Sequence, residues 1–340
     1  MNPARQLMIT IAALLFSASA HAVTVDWVMV GDPGNAADTT GIPNPAGAVA
    51  NAFQIMKYEW TNSHYVNFLN AVDPDGTNPN SVYNTNMGSN ARGGISFDTN
   101  ASAGSKYAAR TDMGDKPVNF VSWFDAARVA NWLQNGQGSG STETGAYTLV
   151  GGQTSGTAPA KNPGAQFYIP TQNEWYKAAY YKGSGTNAGY WAYPTQSNAA
   201  PTAVTADSTG NGSAGSTGNS ANFASGAIWN SITGNVTTVG TNGGPSAYGA
   251  FDMGGNVMEW NDLTGAAGTT RGLRGGSWLS IGPLSLSPSI NDSDEPSYEA
   301  AGVGFRLAIP VPVPEPSTYA MALAGLACGG YSMFRRRKRA

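Results

Sequence analysis

The segment Ala247–Trp260, AYGAFDMGGNVMEW, limits the fold more than any other part of the chain. Gly249, Gly254 and Gly255 let the backbone turn where a side chain would clash. Asp252, Asn256 and Glu259 place three oxygen-bearing side chains within eight residues, with backbone carbonyls between them. Tyr248, Phe251, Val257 and Trp260 are apolar enough to bury the whole segment. Two structures fit this pattern. One is a tight turn of carboxylate and carbonyl oxygens around a hard cation such as Ca²⁺. The other is a buried glycine-rich corner whose carboxylates cap backbone N–H groups. Spacing alone leaves both open.

The rest of the chain must supply the core that buries this corner. Of its 340 residues 41% are hydrophobic, enough for one large core or two small ones. Only 11% are charged, about half the usual share, and 44 are glycine. A loop-rich fold with few amphipathic helices is expected.

Both ends read as addresses. Residues 1–22 have the form of a secretory signal peptide: Arg5, an apolar run from Leu7 to Phe16, and the small-residue site Ala20-His21-Ala22. Residues 313–340 begin Val313-Pro314-Glu315-Pro316, continue as an apolar run from Tyr319 to Phe334, and end on Arg335–Arg339. The run is near the lower limit for a spanning helix, and the basic cluster suits the cytoplasmic side of a membrane. This tripartite tail resembles the PEP-CTERM sorting signal of Gram-negative bacteria. The resemblance implies export through the inner membrane, transient residence there through the tail, cleavage by an exosortase, and release or attachment at the cell surface or in the extracellular matrix. A permanent single-span anchor is the alternative.

Taking away leader and tail removes six of 18 basic and one of 21 acidic residues, which leaves a net charge of −8. That balance argues against nucleic acid and anionic membrane as partners. The one cysteine, Cys328, lies in the tail, and His21 lies in the leader, so residues 23–312 hold no thiol and a single histidine, His64. Thiolate metal sites, cysteine nucleophiles and multi-histidine zinc or iron sites are excluded by count.

Along the chain, Val25–Val30 and Ala50–Tyr58 read as strands. A helix begins at Thr61 or Asn62, with Tyr65, Val66, Phe68 and Leu69 on its buried side. A second follows the capping box Ser122/Asp125, and a third the capping box Thr171/Glu174, with Gly183 as its C-cap. Phe167–Ile169 and Val236–Val239 read as further strands. Gln134–Pro163 and Ala199–Ser220 are polar, loop-like stretches.

Several of these segments share one resemblance. Glu59-Trp60-Thr61-Asn62, Pro117-Val118-Asn119-Phe120-Val121-Ser122-Trp123-Phe124-Asp125-Ala126, Ile169-Pro170-Thr171-Gln172-Asn173-Glu174-Trp175, Gly254-Gly255-Asn256-Val257-Met258-Glu259-Trp260, Arg274-Gly275-Gly276-Ser277 and Gly304-Phe305-Arg306 stand in order. Together they resemble the formylglycine-generating enzyme (sulfatase-modifying factor) family over roughly Phe53–Ala308. The resemblance implies one α+β domain, residues 23–312, with a modified C-type-lectin-like fold and little regular secondary structure.

It also implies calcium, with side-chain oxygens from Asp252 and Glu259 and carbonyls from Gly255 and Val257. A second family site is half matched, by Asn222 and the Phe223 carbonyl; its acid falls near Asn230 or Ser231. The family's oxidase centre holds copper(I) on two cysteines. Their positions are Ser280 and Ser285 here, and a hard hydroxyl cannot replace a soft thiolate. Formylglycine generation is therefore not expected, and neither copper nor iron.

A serine hydrolase at Ser280 or Ser285 would need a base, and His64 lies in the opening helix. Asp292, Asp294, Glu295 and Glu299 read either as a paired-carboxylate site or as a solvated acidic loop. Arg271, Arg274 and Arg306 read as structural ion-pair partners. Trp260-Asn261-Asp262 reads like the Trp-Asn-Asp of sugar-binding C-type lectins, without its companion element. The expectation is an exported, surface-sorted, non-oxidase domain that binds or structures the extracellular polysaccharide matrix, with polysaccharide or surface proteins as partners. The alternative is an enzyme with relocated chemistry on glycan or peptide in the same groove.

Overall fold

The structure, a computed structural model, describes residues 22–311. Readings that concern the leader and the tail lie outside these residues. Among the described residues no helix is long and apolar enough to cross a membrane.

Two small sheets carry the fold. In the first, β1 (Trp27–Val30) and β13 (Ala308–Pro310) flank β2 (Phe53–Met56), all antiparallel. The last strand thus returns to the first two. In the second, β11 (Asp292–Asp294), β10 (Arg271–Arg274) and β9 (Met258–Asn261) run antiparallel, and β12 (Val303–Gly304) lies parallel on the far edge of β9. Two-stranded ribbons decorate this frame: β3 with β4 (Ile95–Phe97, Tyr107–Ala109), β5 with β6 (Thr202–Ala203, Ser220–Ala221), and β7 with β8 (Ile228–Trp229, Ile232–Thr233).

Helices begin where side-chain oxygens can satisfy their first free N–H groups. In α1 (Asn62–Val72) Thr61 accepts from the His64 amide, and Tyr65, Phe68 and Leu69 turn into the core. A short α2 (Asn86–Ser89) follows. Both α3 (Trp123–Gln134) and α4 (Gln172–Tyr180) start on full capping boxes, Ser122/Asp125 and Thr171/Glu174. The end of α4 differs from expectation. It stops at Tyr181 in extended backbone, whose amide still reaches the Lys177 carbonyl, so Gly183 lies beyond the cap. Phe167–Ile169 makes only an isolated bridge from Tyr168 to Ala308, and Val236–Thr238 joins no ladder, with Val239 already in a turn. Val236 is buried all the same, because Trp229 Nε1 donates to its carbonyl and their side chains pack in one small cluster.

Aromatic residues dominate the core. Trp60, Trp123, Trp175 and Trp260 are fully buried, as are Tyr65, Tyr147, Tyr176 and Tyr180. Four arginines are equally buried: Arg128, Arg271, Arg274 and Arg306. Their charges need partners in a medium that solvates them poorly, and those partners define the candidate site.

Candidate functional site

The glycine-rich segment folds into a buried corner. Asp252 (φ +54°), Gly255 (φ +87°) and Asn256 (φ +61°) all take left-handed backbone. At Gly255 a Cβ would come within 2.4 Å of the Asn222 carbonyl oxygen, so only glycine fits. Asn256 is the hub. Its Oδ1 accepts from the Thr237 amide at 2.9 Å and from Asn222 Nδ2 at 3.2 Å, and its Nδ2 donates to Glu59 Oε2 at 2.8 Å.

The four residues expected to hold calcium lie in this corner, but Glu259 is engaged elsewhere. Both its oxygens accept from Arg306, Nε and Nη2 each at 2.6 Å, and Trp175 Nε1 donates at 2.7 Å. Glu259 and Arg306 are fully buried. A carboxylate buried beside a guanidinium closes as a bidentate pair, and Arg306 goes on to donate to the Met56 and Phe251 carbonyls. Glu259 is thus the counter-ion of Arg306.

The acid that faces this corner from outside the segment is Glu59. Its oxygens accept from Asn256 Nδ2 and, at 3.2 Å, from the Val257 amide. Burial first, then the charges of Asp252 and Glu259, push its carboxyl well above the usual range, against Arg306 and the Asn256 bond. Burial also raises Asp252, against bonds donated by the Gly240 amide and Asn242. Three carboxylates and one guanidinium therefore share the corner, and Glu259 engages the guanidinium directly. Glu59 and Asp252 are buried in the same corner, with their oxygens accepting from Asn256 Nδ2 and the Val257 amide, and from the Gly240 amide and Asn242 Nδ2, respectively. Among the described residues no group of three or more His, Cys, Asp or Glu is arranged around a metal position. Sequence reading missed Glu59 because it stands next to a helix cap and its partners are 197 and 198 residues away.

The half-matched second site gains no acid. Asn222 Nδ2 donates to the Asn235 carbonyl and Thr237, its Oδ1 is buried without a partner among the described residues, and the Phe223 carbonyl accepts from Gly226. Asn230 and Ser231 form the exposed left-handed tip of the β7–β8 hairpin. Neither Asn230 nor Ser231 brings an acid to Asn222 and Phe223.

Ser280 Oγ and the Ser285 backbone both lie close to Gly276. A Cβ at Gly276 would lie 3.0 Å from both Ser280 Oγ and the Ser285 carbonyl. Ser280 Oγ accepts from the Ser277 amide at 3.0 Å. His64, the one histidine in reach of nucleophile chemistry by count, packs on the Trp60 ring with centroids 5.3 Å apart. The acidic stretch after them is not one loop. Asp292–Asp294 pairs with β10 as an exposed strand, while Glu299 turns inward. There it bonds Asp125 and accepts from Asn84, and burial followed by the Asp125 charge lifts its carboxyl to about 8.

The other arginines divide. Arg271 pairs with Asp262 at 3.1 Å. Arg274, expected in an ion pair, makes none among the described residues; it donates to the Ile290 and Ile42 carbonyls and lies 5.1 Å from the Tyr176 ring centroid. Asp262 has no freedom to bind a calcium-held sugar. Its oxygens accept from Trp123 Nε1 and the Tyr147 hydroxyl, and Arg271 and Asp262 are both buried.

Comparison with known proteins agrees with this frame. The model for "Sulfatase-modifying factor enzyme 1-like domain" matches residues 19–311, and the PEP-CTERM protein-sorting motif matches residues 312–338. No curated protein matches the chain. Among solved structures, Treponema denticola variable protein 1 is 19% identical with TM-score 0.48, over 86% of this chain and 98% of that one. CarF is 21% identical with TM-score 0.48, over 85% and 99%. PvdO from Pseudomonas aeruginosa is 16% identical with TM-score 0.41, over 84% and 92%. The sorting motif implies export and sorting to the cell surface by an exosortase-type system. The chain belongs to the sulfatase-modifying factor family, with the mixed α+β, C-type-lectin-like fold of that family and without its cysteine pair.

Proposed function

We propose that this chain is a non-oxidase binding module of the extracellular polysaccharide matrix, displayed on or released from a Gram-negative cell. One observation carries the reading: serines occupy both positions, 280 and 285, where the family resemblance places its copper-binding thiols. A hydroxyl keeps its proton near neutral pH and is a poor ligand for copper(I). What is left is a stable scaffold with a sorting address. Calcium, held by Glu59 and Asp252 with the Gly255 and Val257 carbonyls, would stiffen the corner and stay structural.

The test compares the full-length protein with a Ser280→Cys/Ser285→Cys variant for copper(I) uptake and for oxygen consumption on a cysteine-containing peptide. The reading expects neither from the natural protein. Oxygen consumption by the natural protein would overturn it.

The second reading, an enzyme on glycan or peptide, is favoured by Glu299, which keeps its proton near neutral pH as a general acid must. It expects Glu299→Gln to abolish turnover without lowering the melting temperature.

A further inference from the structure

Beside the Ser280–Ser285 segment, and not including either serine, lies an open cleft of about 610 Å³. Small-molecule sites span about 300–1,000 Å³. It is lined by Gly189–Tyr193 and Asn198, by Ala37–Thr40, and by Leu284 with Ser287–Ser289. Trp191 and Tyr193 both line the cleft, on either side of a bend at Ala192. Both are half-buried. Leu284, 62% exposed, stands on the other side.

The polar groups of the cleft point to the ligand. The side chains of Thr39 and Ser289, the Asn198 Nδ2 and the Tyr193 hydroxyl make no hydrogen bond among the described residues, and Thr39, Asn198 and Ser289 are exposed. The one charged lining residue, Asp38, is already satisfied. Its oxygens accept from the Tyr176 hydroxyl at 2.7 Å and from the Thr40 amide and hydroxyl at 2.8 and 2.7 Å. The cleft lining thus offers apolar ring and alkyl faces and spare neutral donors and acceptors, and its one charged residue is engaged. Lys182, outside the lining, is held 4.8 Å from the Trp191 ring centroid, so a polyanion would find a cation only at the edge of the cleft, in a domain that is itself acidic. A peptide backbone would leave the flat aromatic faces without a partner unless its side chains supplied one.

We infer that this cleft binds a segment of neutral polysaccharide, with pyranose C–H faces against Trp191, Tyr193 and Leu284 and sugar hydroxyls bonded to Thr39, Asn198 and Ser289. Aromatic faces reward such stacking, and hydroxyl and amide groups in a fixed ring set orientation. The inference rests on the binding-module reading and gives it a place and a ligand class.

The test is affinity gel electrophoresis of the full-length protein in gels containing hydroxyethylcellulose, dextran or mannan, with alginate as an anionic control. At least one neutral polymer slows the natural protein and alginate does not. Trp191→Ala weakens that retardation at least tenfold. Because Trp191 also carries Lys182 at 4.8 Å from its ring, melting temperature is followed alongside. Ser289→Trp, at an exposed position, blocks the cleft from the opposite wall and gives the same loss without touching Trp191. Retardation that survives both substitutions overturns the cleft and leaves the module reading standing. Retardation by alginate alone overturns the ligand class. Retardation by none of the four polymers overturns the inference and, for these polymers, the reading beneath it.

Discussion

The corner around Glu59, Asn256, Glu259 and Arg306 and the cleft beside Leu284 lie at opposite ends of one physical scale. The corner is dry, and nearly every polar atom in it is spoken for by a residue far away in sequence. The cleft and the Leu279–Leu284 turn are wet, with Ile281 96% exposed and hydroxyls left unused. A buried charge network tolerates little, because removing one partner leaves the other uncompensated. A surface with spare hydrogen bonds can change its ligand at little cost to the fold. The difference separates what this family domain needs to fold from what it can lose, and the oxidase thiols belong to the second part.

The sharpest way to break that contrast is Arg306→Ala. It strands Glu259 and leaves three buried carboxylates without their cation, and should cost about 3–5 kcal/mol in denaturant melts. Pairing Arg306→Met with Glu259→Leu should recover much of the loss, since neither charge is then orphaned. A loss under about 1 kcal/mol for the single change would mean the corner is open to water.

A next step separates counter-ion from ligand. Glu59→Gln and Asp252→Asn should abolish calcium binding in titration calorimetry. Glu259→Gln should lower the melting temperature equally in calcium and in chelator. Loss of calcium binding through Glu259→Gln alone, with stability intact, would restore Glu259 as the ligand.

Glu299 sharpens the boundary between the two regions through pH. Its folded carboxyl lies near 8 against an ordinary 4.5, raised by burial and by Asp125. The folded state therefore holds the proton more tightly than the unfolded chain. The contribution from this group is full below about 4.5 and is lost as pH rises through 8. Between pH 6 and 9 the natural protein should lose stability, and Glu299→Gln should flatten that slope. An unchanged slope would show that Glu299 is already ionised.

The smallest effect belongs to the turn itself. Ser280→Ala removes one acceptor for the Ser277 amide and should cost about 0.5–1.5 kcal/mol. A larger loss would make the turn part of the core.

What was legible in the sequence follows the same division by range. The caps Thr61, Ser122 and Thr171 are local events, set by one side chain and an amide three residues on, so all three helix starts were readable. The helix end at Tyr181 was not, because Gly183 marks a turn without saying where the ladder stops. Val236–Val239 has the composition of a strand, but its pairing depends on neighbours that do not run beside it. Glu59 and Arg306 were each visible as motif residues. Which partner each faces is decided by contacts 47 to 198 residues apart, which no local pattern encodes. The cleft was invisible for the same reason: its three walls come from residues near 38, 191 and 287.

The most direct test of the account passes the full-length protein over the extracellular polysaccharide of the cells that make it, first with calcium and then with chelator, and measures polymer length afterwards. The account predicts retention, loss of retention on Trp191→Ala, and polymer of unchanged length. Shortened polymer would make the protein an enzyme. No retention in either buffer would contradict the claim that it is a matrix-binding module.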